Sequence, residues 1–185
     1  GVAKGGLQAR QFSGVAQSDV LLLRKAAEAA RFEGEAGSIA EQIVAVDGRP
    51  VRVLLLGLGQ ASIEDMEKAG SALSAKLLTS GDTSAAIDLS GLAIAPNAEA
   101  VARMASGTVL RGWRYDKYRT KLAEAQKPSL ASVTIIGAAD GTDTIWAQQE
   151  AVIKGVSLTR ELVTEPANII YPESFVERCQ HLAAL

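Results

Sequence analysis

Residues 51–59 read VRVLLLGLG, and no other stretch restricts the fold so tightly. The end of the run is almost continuously apolar, as expected of a strand covered on both faces rather than one with a wet side. Just upstream, residues 42–46 form a second short apolar run, joined to the first through Asp47-Gly48-Arg49-Pro50. Two such runs around Asp-Gly read as a hairpin. A sheet buried on both faces needs helices above and below it, and the rest of the chain supplies them.

The first helix is predicted from Ser18-Asp19, with Ser18 as cap, to about Phe32. Ala26, Ala27, Ala29 and Ala30 keep its interior helix-forming, and Gly34 and Gly37 break it. Ser62 and Asp65 have the spacing of a capping box. Behind them Met66, Gly70, Leu73 and Leu77 share one helical face, and Ser80-Gly81-Asp82 ends the helix. Residues 85–89 read as a strand, followed by a loop through Gly91 and Pro96. Asn97 caps a third helix, with Val101, Met104, Ala105 and Thr108 inward, expected to continue towards Trp113 through RGWRYDKYRTK. Residues 132–136 read as another strand. A long helix is predicted from about Thr144 to Thr164, with Ile145, Val152, Val156 and Val163 along its inner line. Pro166 stops it and Pro172 starts a last helix. The fold class is α/β, a mixed sheet layered with helices. The domain boundary is expected between Thr164 and Pro172.

Nineteen basic residues face twenty-one acidic ones, for a net charge of −2. That balance argues against a chain built to neutralise nucleic acid or an anionic membrane. An apolar fraction of 48% suits a globular protein. No apolar run approaches the roughly 18 residues that cross a bilayer. The first residue is not Met, which leaves a leader open. A single cysteine excludes an internal disulfide and points to a reducing compartment, so a cytoplasmic location is expected. Cys179 and His181 cannot fill a tetrahedral zinc site and point in different directions on a helix. Cys179 joins Phe175 and Leu182 in an apolar stripe instead.

Two motifs invite a ligand. Gly57-Leu58-Gly59 follows a strand and precedes a helix, as a dinucleotide-binding turn does. Ser62 occupies the place of the third glycine, and no acidic ribose partner follows at the right distance. A sharp structural turn is the simpler reading, with nucleotide or ADP-ribose binding as the alternative. Arg111, Arg114, Lys117, Arg119 and Lys121 are interleaved with Trp113, Tyr115 and Tyr118, an arrangement that can stack bases. Here the simpler reading is the end of an amphipathic helix, rings inward and cations wet. The chain shows no His-Glu-x-x-His, Gly-x-Ser-x-Gly, phosphate-loop or paired-carboxylate pattern. No active site is read from the residues.

One segment is specific: GVSLTRELVTEPANIIYPESFVERC, residues 155–179. It resembles the junction between the amino-terminal and catalytic domains of the leucyl aminopeptidase, or cytosol aminopeptidase, family. Arg160, Glu161, Leu162, Val163, Pro166, Asn168 and Pro172 match, while Thr164 stands where the family usually has Asn. VRVLLLGLG, MEKAGSAL, RGWRYDKYRTK and SVTIIG resemble further family segments in the same order. VAKGGL is similar to the end of an early strand whose earlier part is not in the sequence. The resemblance implies a macro-domain-like amino-terminal domain over residues 1–165, with residues 166–185 beginning a catalytic peptidase domain. It also implies a peptide substrate, two divalent metal ions (zinc or manganese), and a homo-hexamer. The family's metal-binding Lys, Asp and Glu belong to the catalytic domain. No catalytic, cofactor-binding or metal-binding residue is therefore assigned within these 185 residues.

Overall fold

The Asp-Gly signal does return the chain on itself. β1 (Ile39–Val46) and β2 (Arg49–Leu56) pair antiparallel with Val46 opposite Arg49, and β1 starts three residues earlier than its apolar run suggests. Asp47 and Gly48 lie outside the residues described by the computed structural model, which are 1–7, 16–46, 49–93 and 95–183. The remaining elements are α1 (Gln17–Ala29), α2 (Ile63–Leu77), β3 (Ser84–Asp88), α3 (Ala98–Gly112), β4 (Ser132–Ile136), α4 (Thr142–Thr164) and α5 (Pro172–Ala183). β3 and β4 pair in parallel. The α/β class and the mixture of strand directions hold. Among the described residues, the strands form two two-stranded sheets.

Residues 1–4 run between these sheets. Val2 forms a parallel bridge with Gly57, its amide donating to the Leu56 carbonyl at 2.8 Å and its carbonyl accepting from Leu58 at 2.8 Å. On the other side the Gly1 amino group donates to the Asp88 carbonyl at 2.8 Å. Helices cover both faces. Leu55, Val2 and Leu7 pack with Ala27 of α1 and with Phe32 on one side. Leu56, Leu58, Ile87 and Leu89 pack with Met66 and Leu73 of α2 and Met104 of α3 on the other.

The tightest contact is between α2 and α3. A Cβ on Gly70 would run into the Met104 carbonyl, and one on Gly107 into the Glu67 carbonyl. Two small residues thus let two backbones cross in near contact. Val101, Met104 and Thr108 are buried, as their spacing predicts.

Several local expectations need correction. α1 begins after Ala16 and its cap makes no side-chain hydrogen bond, so Ser18 lies inside the helix rather than capping it. The helix also stops at Ala29. Arg31 takes a left-handed φ of 53°, and Phe32 donates to the Ala27 carbonyl while turning into the core. This is a Schellman ending, with an apolar residue just past the turn. At α2, Ser62 Oγ accepts from the Asp65 amide at 3.2 Å, but the Asp65 carboxylate turns outward to the Gln60 amide at 2.8 Å. Only half of the capping box forms. On α4 the inner line is different: Val152 and Val163 are 61% and 81% exposed, and Ile153 is the buried residue.

Candidate functional site

Pro166 fixes how α4 ends. A residue before proline is forced towards extended backbone, and Glu165 has φ −59° and ψ 137°. Its side chain is fully enclosed. Lys117 Nζ and the Tyr118 hydroxyl each donate to one carboxylate oxygen at 2.7 Å. Lys117 first, then Tyr118 and Tyr115, hold the Glu165 pKa down at about 2 against the opposing effect of burial. The carboxylate in turn raises the Lys117 pKa. The Tyr115 hydroxyl is enclosed beside this group without a partner of its own in hydrogen-bond geometry. Burial first, and Glu165 second, push its pKa up.

The surroundings extend the same linkage. Tyr115 lies between Trp113, stacked at 6.3 Å, and Tyr118, edge-on at 5.9 Å. Arg160 of α4 sits 5.6 Å over the Trp113 ring and donates to the Leu110 carbonyl at 2.8 Å, closing the last turn of α3. Arg178 of α5 approaches Glu161 at 3.6 Å and Glu165 at 3.9 Å. The end of α4, the 113–118 segment and the start of the tail are thus joined through one buried carboxylate. A carboxylate with a pKa near 2 binds a proton too weakly to serve as a general base near neutral pH. The group works as a clasp that ties the end of α4 to the 113–118 segment.

The basic stretch is not a helix end. α3 stops at Gly112, and Trp113 is already extended. Its cations are largely engaged: Arg114 pairs with Asp116 at 2.7 Å, Arg119 with Asp116 at 3.7 Å, and Lys117 with Glu165. Arg111 and Lys121 stand exposed. Trp113 stacks on Tyr115 under Arg160, and Tyr118 meets Tyr115 edge-on, so of the three rings Tyr118, 50% exposed, is the one left open to solvent.

The glycine turn is also occupied by the protein itself. The amides of Gly57, Leu58, Gly59 and Ala61 donate to Ser38, Val2, Gly34 and Leu58 carbonyls, and that of Gln60 to Asp65. A phosphate at a helix N-terminus needs such amides free, and here it would also meet the Asp65 carboxylate. Gly57 is required because a Cβ would strike the Glu35 carbonyl, and Gly59 because its φ is +57°. Cys179 and His181 are exposed on α5. Among the described residues, no three His, Cys, Asp or Glu side chains converge as a metal site would require. No described helix is long and apolar enough to cross a membrane.

Glu165 is the residue that sequence reasoning missed. Its partners lie 47 and 48 residues upstream, so no local spacing announces them. The available signal was an acid directly before a helix-stopping proline, in a chain with an aromatic-basic segment elsewhere.

Residues 5–122, from the glycine-rich start through the aromatic-basic segment, match the model of the cytosol aminopeptidase family's N-terminal domain. The chain belongs to the cytosol aminopeptidase family. A probable cytosol aminopeptidase of Rhizobium etli is 37% identical over 171 residues, covering 89% of this chain and 34% of that protein. One of Rhodopseudomonas palustris is 35% identical over 174 residues, covering 90% and 34%. Among solved structures, a mutant of tomato leucine aminopeptidase matches with a TM-score of 0.75 at 25% identity, over 98% of this chain and 38% of its own. The bottromycin maturation enzyme BotP in complex with Mn matches with a TM-score of 0.68 at 28% identity, over 85% and 32%. The chain therefore spans about a third of the length of the cytosol aminopeptidases it resembles, at their N-terminal domain. The Glu165 clasp joins the matched region, which contains Lys117 and Tyr118, to α4 and α5 beyond it.

Proposed function

We propose that this chain is the non-catalytic amino-terminal domain of a metallo-aminopeptidase, closed at Glu165, and that residues 166–185 begin the domain that carries the chemistry. The carrying observation is a contrast along one chain. Up to Glu165 the helices bury apolar residues, whereas α5 buries none, and Phe175, Val176 and Leu182 are 47%, 51% and 52% exposed. An apolar face left open in this way marks a partner. The relatives' greater length supports a carboxy-terminal peptidase domain as that partner.

On this reading the complete protein removes amino-terminal residues from peptides in the cytosol. Its two zinc or manganese ions would be held by the peptidase domain, as the family resemblance implies; among the described residues of this chain no three His, Cys, Asp or Glu side chains converge. The family resemblance supports a homo-hexamer as the working assembly. This chain contributes folding support and a fixed exit direction for α4 and α5.

The test is a leucine-amide assay and metal calorimetry on purified 1–185. No turnover is expected, and no tight binding of zinc or manganese, since a metal centre needs at least three convergent protein ligands. Turnover, or micromolar metal binding, would overturn the reading. Saturable ADP-ribose binding would revive the nucleotide alternative at Gly57–Gly59.

A further inference from the structure

β4 is an outer strand, and its outer edge is unpaired. In the β3–β4 ladder the Ser132 amide donates to the Thr83 carbonyl, and the Ile136 carbonyl accepts from the Leu89 amide. The even-numbered residues of β4 therefore bond to β3. Strand alternation turns the backbone amides and carbonyls of Val133 and Ile135 the other way. Among the described residues, nothing bonds to them there. A row of unpaired strand groups is a template for another strand, and proteins usually blunt it with charge or proline. β1, the outer strand of the other sheet, carries Glu41 in ion pairs with Arg52 and Lys76. β4 reads Ser-Val-Thr-Ile-Ile and has neither a charge nor a proline.

A groove of about 500 Å³ lies along the same strand, between β4, α3 and the start of α4. Val133 and Ile135 line it from β4, Ala105 and Val109 from α3, and Trp146 from α4. Val109 is 46% exposed, so the groove is open to a visitor. The residues whose backbone groups lack partners are therefore the ones whose side chains line the groove. Among the described lining residues, the one ionisable side chain is Asp143, in the first turn of α4, and no basic residue offsets it. α4 begins at Thr142, a short turn after β4 ends at Ile136. Asp143 thus stands beyond the carboxy-terminal end of the strand.

We propose that the outer edge of β4 receives an extended segment of another polypeptide, antiparallel to the strand, apolar at alternate positions and basic at its amino-terminal end. The occupant follows from three observations taken together. Unpaired amides and carbonyls call for main chain, which gives this mode of recognition its affinity. Antiparallel pairing is the more stable per residue, and each residue facing Val133 or Ile135 then exchanges two hydrogen bonds with it. Those two guest residues share the face of Val133 and Ile135, so their side chains enter the groove towards Val109 and Trp146 and are apolar. The guest residue two positions before the partner of Ile135 lies on that face too, beside Asp143, and a cation there meets the unbalanced carboxylate. The residues between them point to the open face of the sheet and are polar.

The probe is the capped peptide acetyl-Lys-Thr-Leu-Thr-Leu-Thr-amide, titrated into the 185-residue chain by calorimetry, with hydrogen exchange at the Val133 and Ile135 amides as the second readout. Saturable binding is expected, with exchange at both amides slowed by about tenfold or more and that of α1 unchanged. The same peptide N-methylated at both leucines keeps its side chains but loses two donors, and is expected to bind about tenfold more weakly or worse. Val133→Pro removes an outward amide while leaving the bonds to β3, and is expected to weaken binding with little change in Tm. Asp143→Asn is expected to weaken binding and to reduce its dependence on salt. No saturable binding, equal binding of the N-methylated peptide, or protection of Val133 and Ile135 in the free chain through a dimer of its own would each overturn the proposal. The outcome is independent of whether the complete protein is a peptidase.

Discussion

Gly107 and Glu165 show two ways in which one residue determines the packing around it. Gly107 allows α3 to lie against the Glu67 carbonyl of α2, and its replacement leaves no flexible atom to yield, because the obstacle is backbone. Gly107→Val is expected to cost about 1–3 kcal/mol, the usual range for overpacking, read as a lower Tm with the fold retained. Glu165 acts through charge. Its folded pKa of about 2 lies below the ordinary 4.5, so it contributes stability above pH 4.5 that is lost as pH falls from 4.5 towards 2. Glu41 does the same, held near 2 by Arg52 and then by Lys76. Glu165→Gln is thus expected to lower Tm at pH 7 and to flatten the fall of Tm between pH 4.5 and 2. Adding Glu41→Gln should flatten it further. A variant whose Tm falls as steeply with acid as the parent's would contradict the clasp. The glycine's steric role at α2–α3 was only half legible in the sequence, where Gly70 was placed on the inner face but Gly107 was not singled out. The glutamate was hidden because its partners are distant along the chain.

At the level of elements, the sequence signals worked where they were local and failed where a neighbour decided. Asn97 was expected to cap α3, and its Oδ1 does accept from the Ala100 amide at 2.8 Å. Asn97→Ala is expected to cost about 1 kcal/mol of stability, measured by urea unfolding; a loss of nothing would mean the cap is redundant. β4 was readable for the same reason, its Val133, Thr134, Ile135 and Ile136 all being β-branched. α4 was misread. Its apolar residues surround the helix, and only the contact with α3 and Trp113 selects Ile153 rather than Val152 as the inner residue. α3 is expected from the sequence to continue towards Trp113 through the basic stretch, where no Gly-Pro signal ends it sharply, but it stops at Gly112. Arg160, which holds both Trp113 and the Leu110 carbonyl, shows that tertiary contact ended it.

Across the whole molecule, burial changes after Glu165. Before it lie helices on both faces of the strands, the crossing of α2 and α3, and a buried carboxylate that ties the exit of α4 to the body. After it comes a helix with no buried residue, connected to the rest through the ion pairs of Arg178. The family was legible from the ordered segments around Arg160 and Pro166, whereas the contrast in burial between α5 and the helices before it shows only in the structure. A lone helix of this length is marginal in water, so the division makes a quantitative claim. Hydrogen exchange on residues 167–183 of the isolated chain, at monomeric concentration, tests it most directly. The account predicts that α5 amides exchange orders of magnitude faster than those of α2 and α3, which open only with global unfolding. Protection of α5 equal to that of α3 in a proven monomer would contradict it, since the tail would then belong to this domain and not to the next.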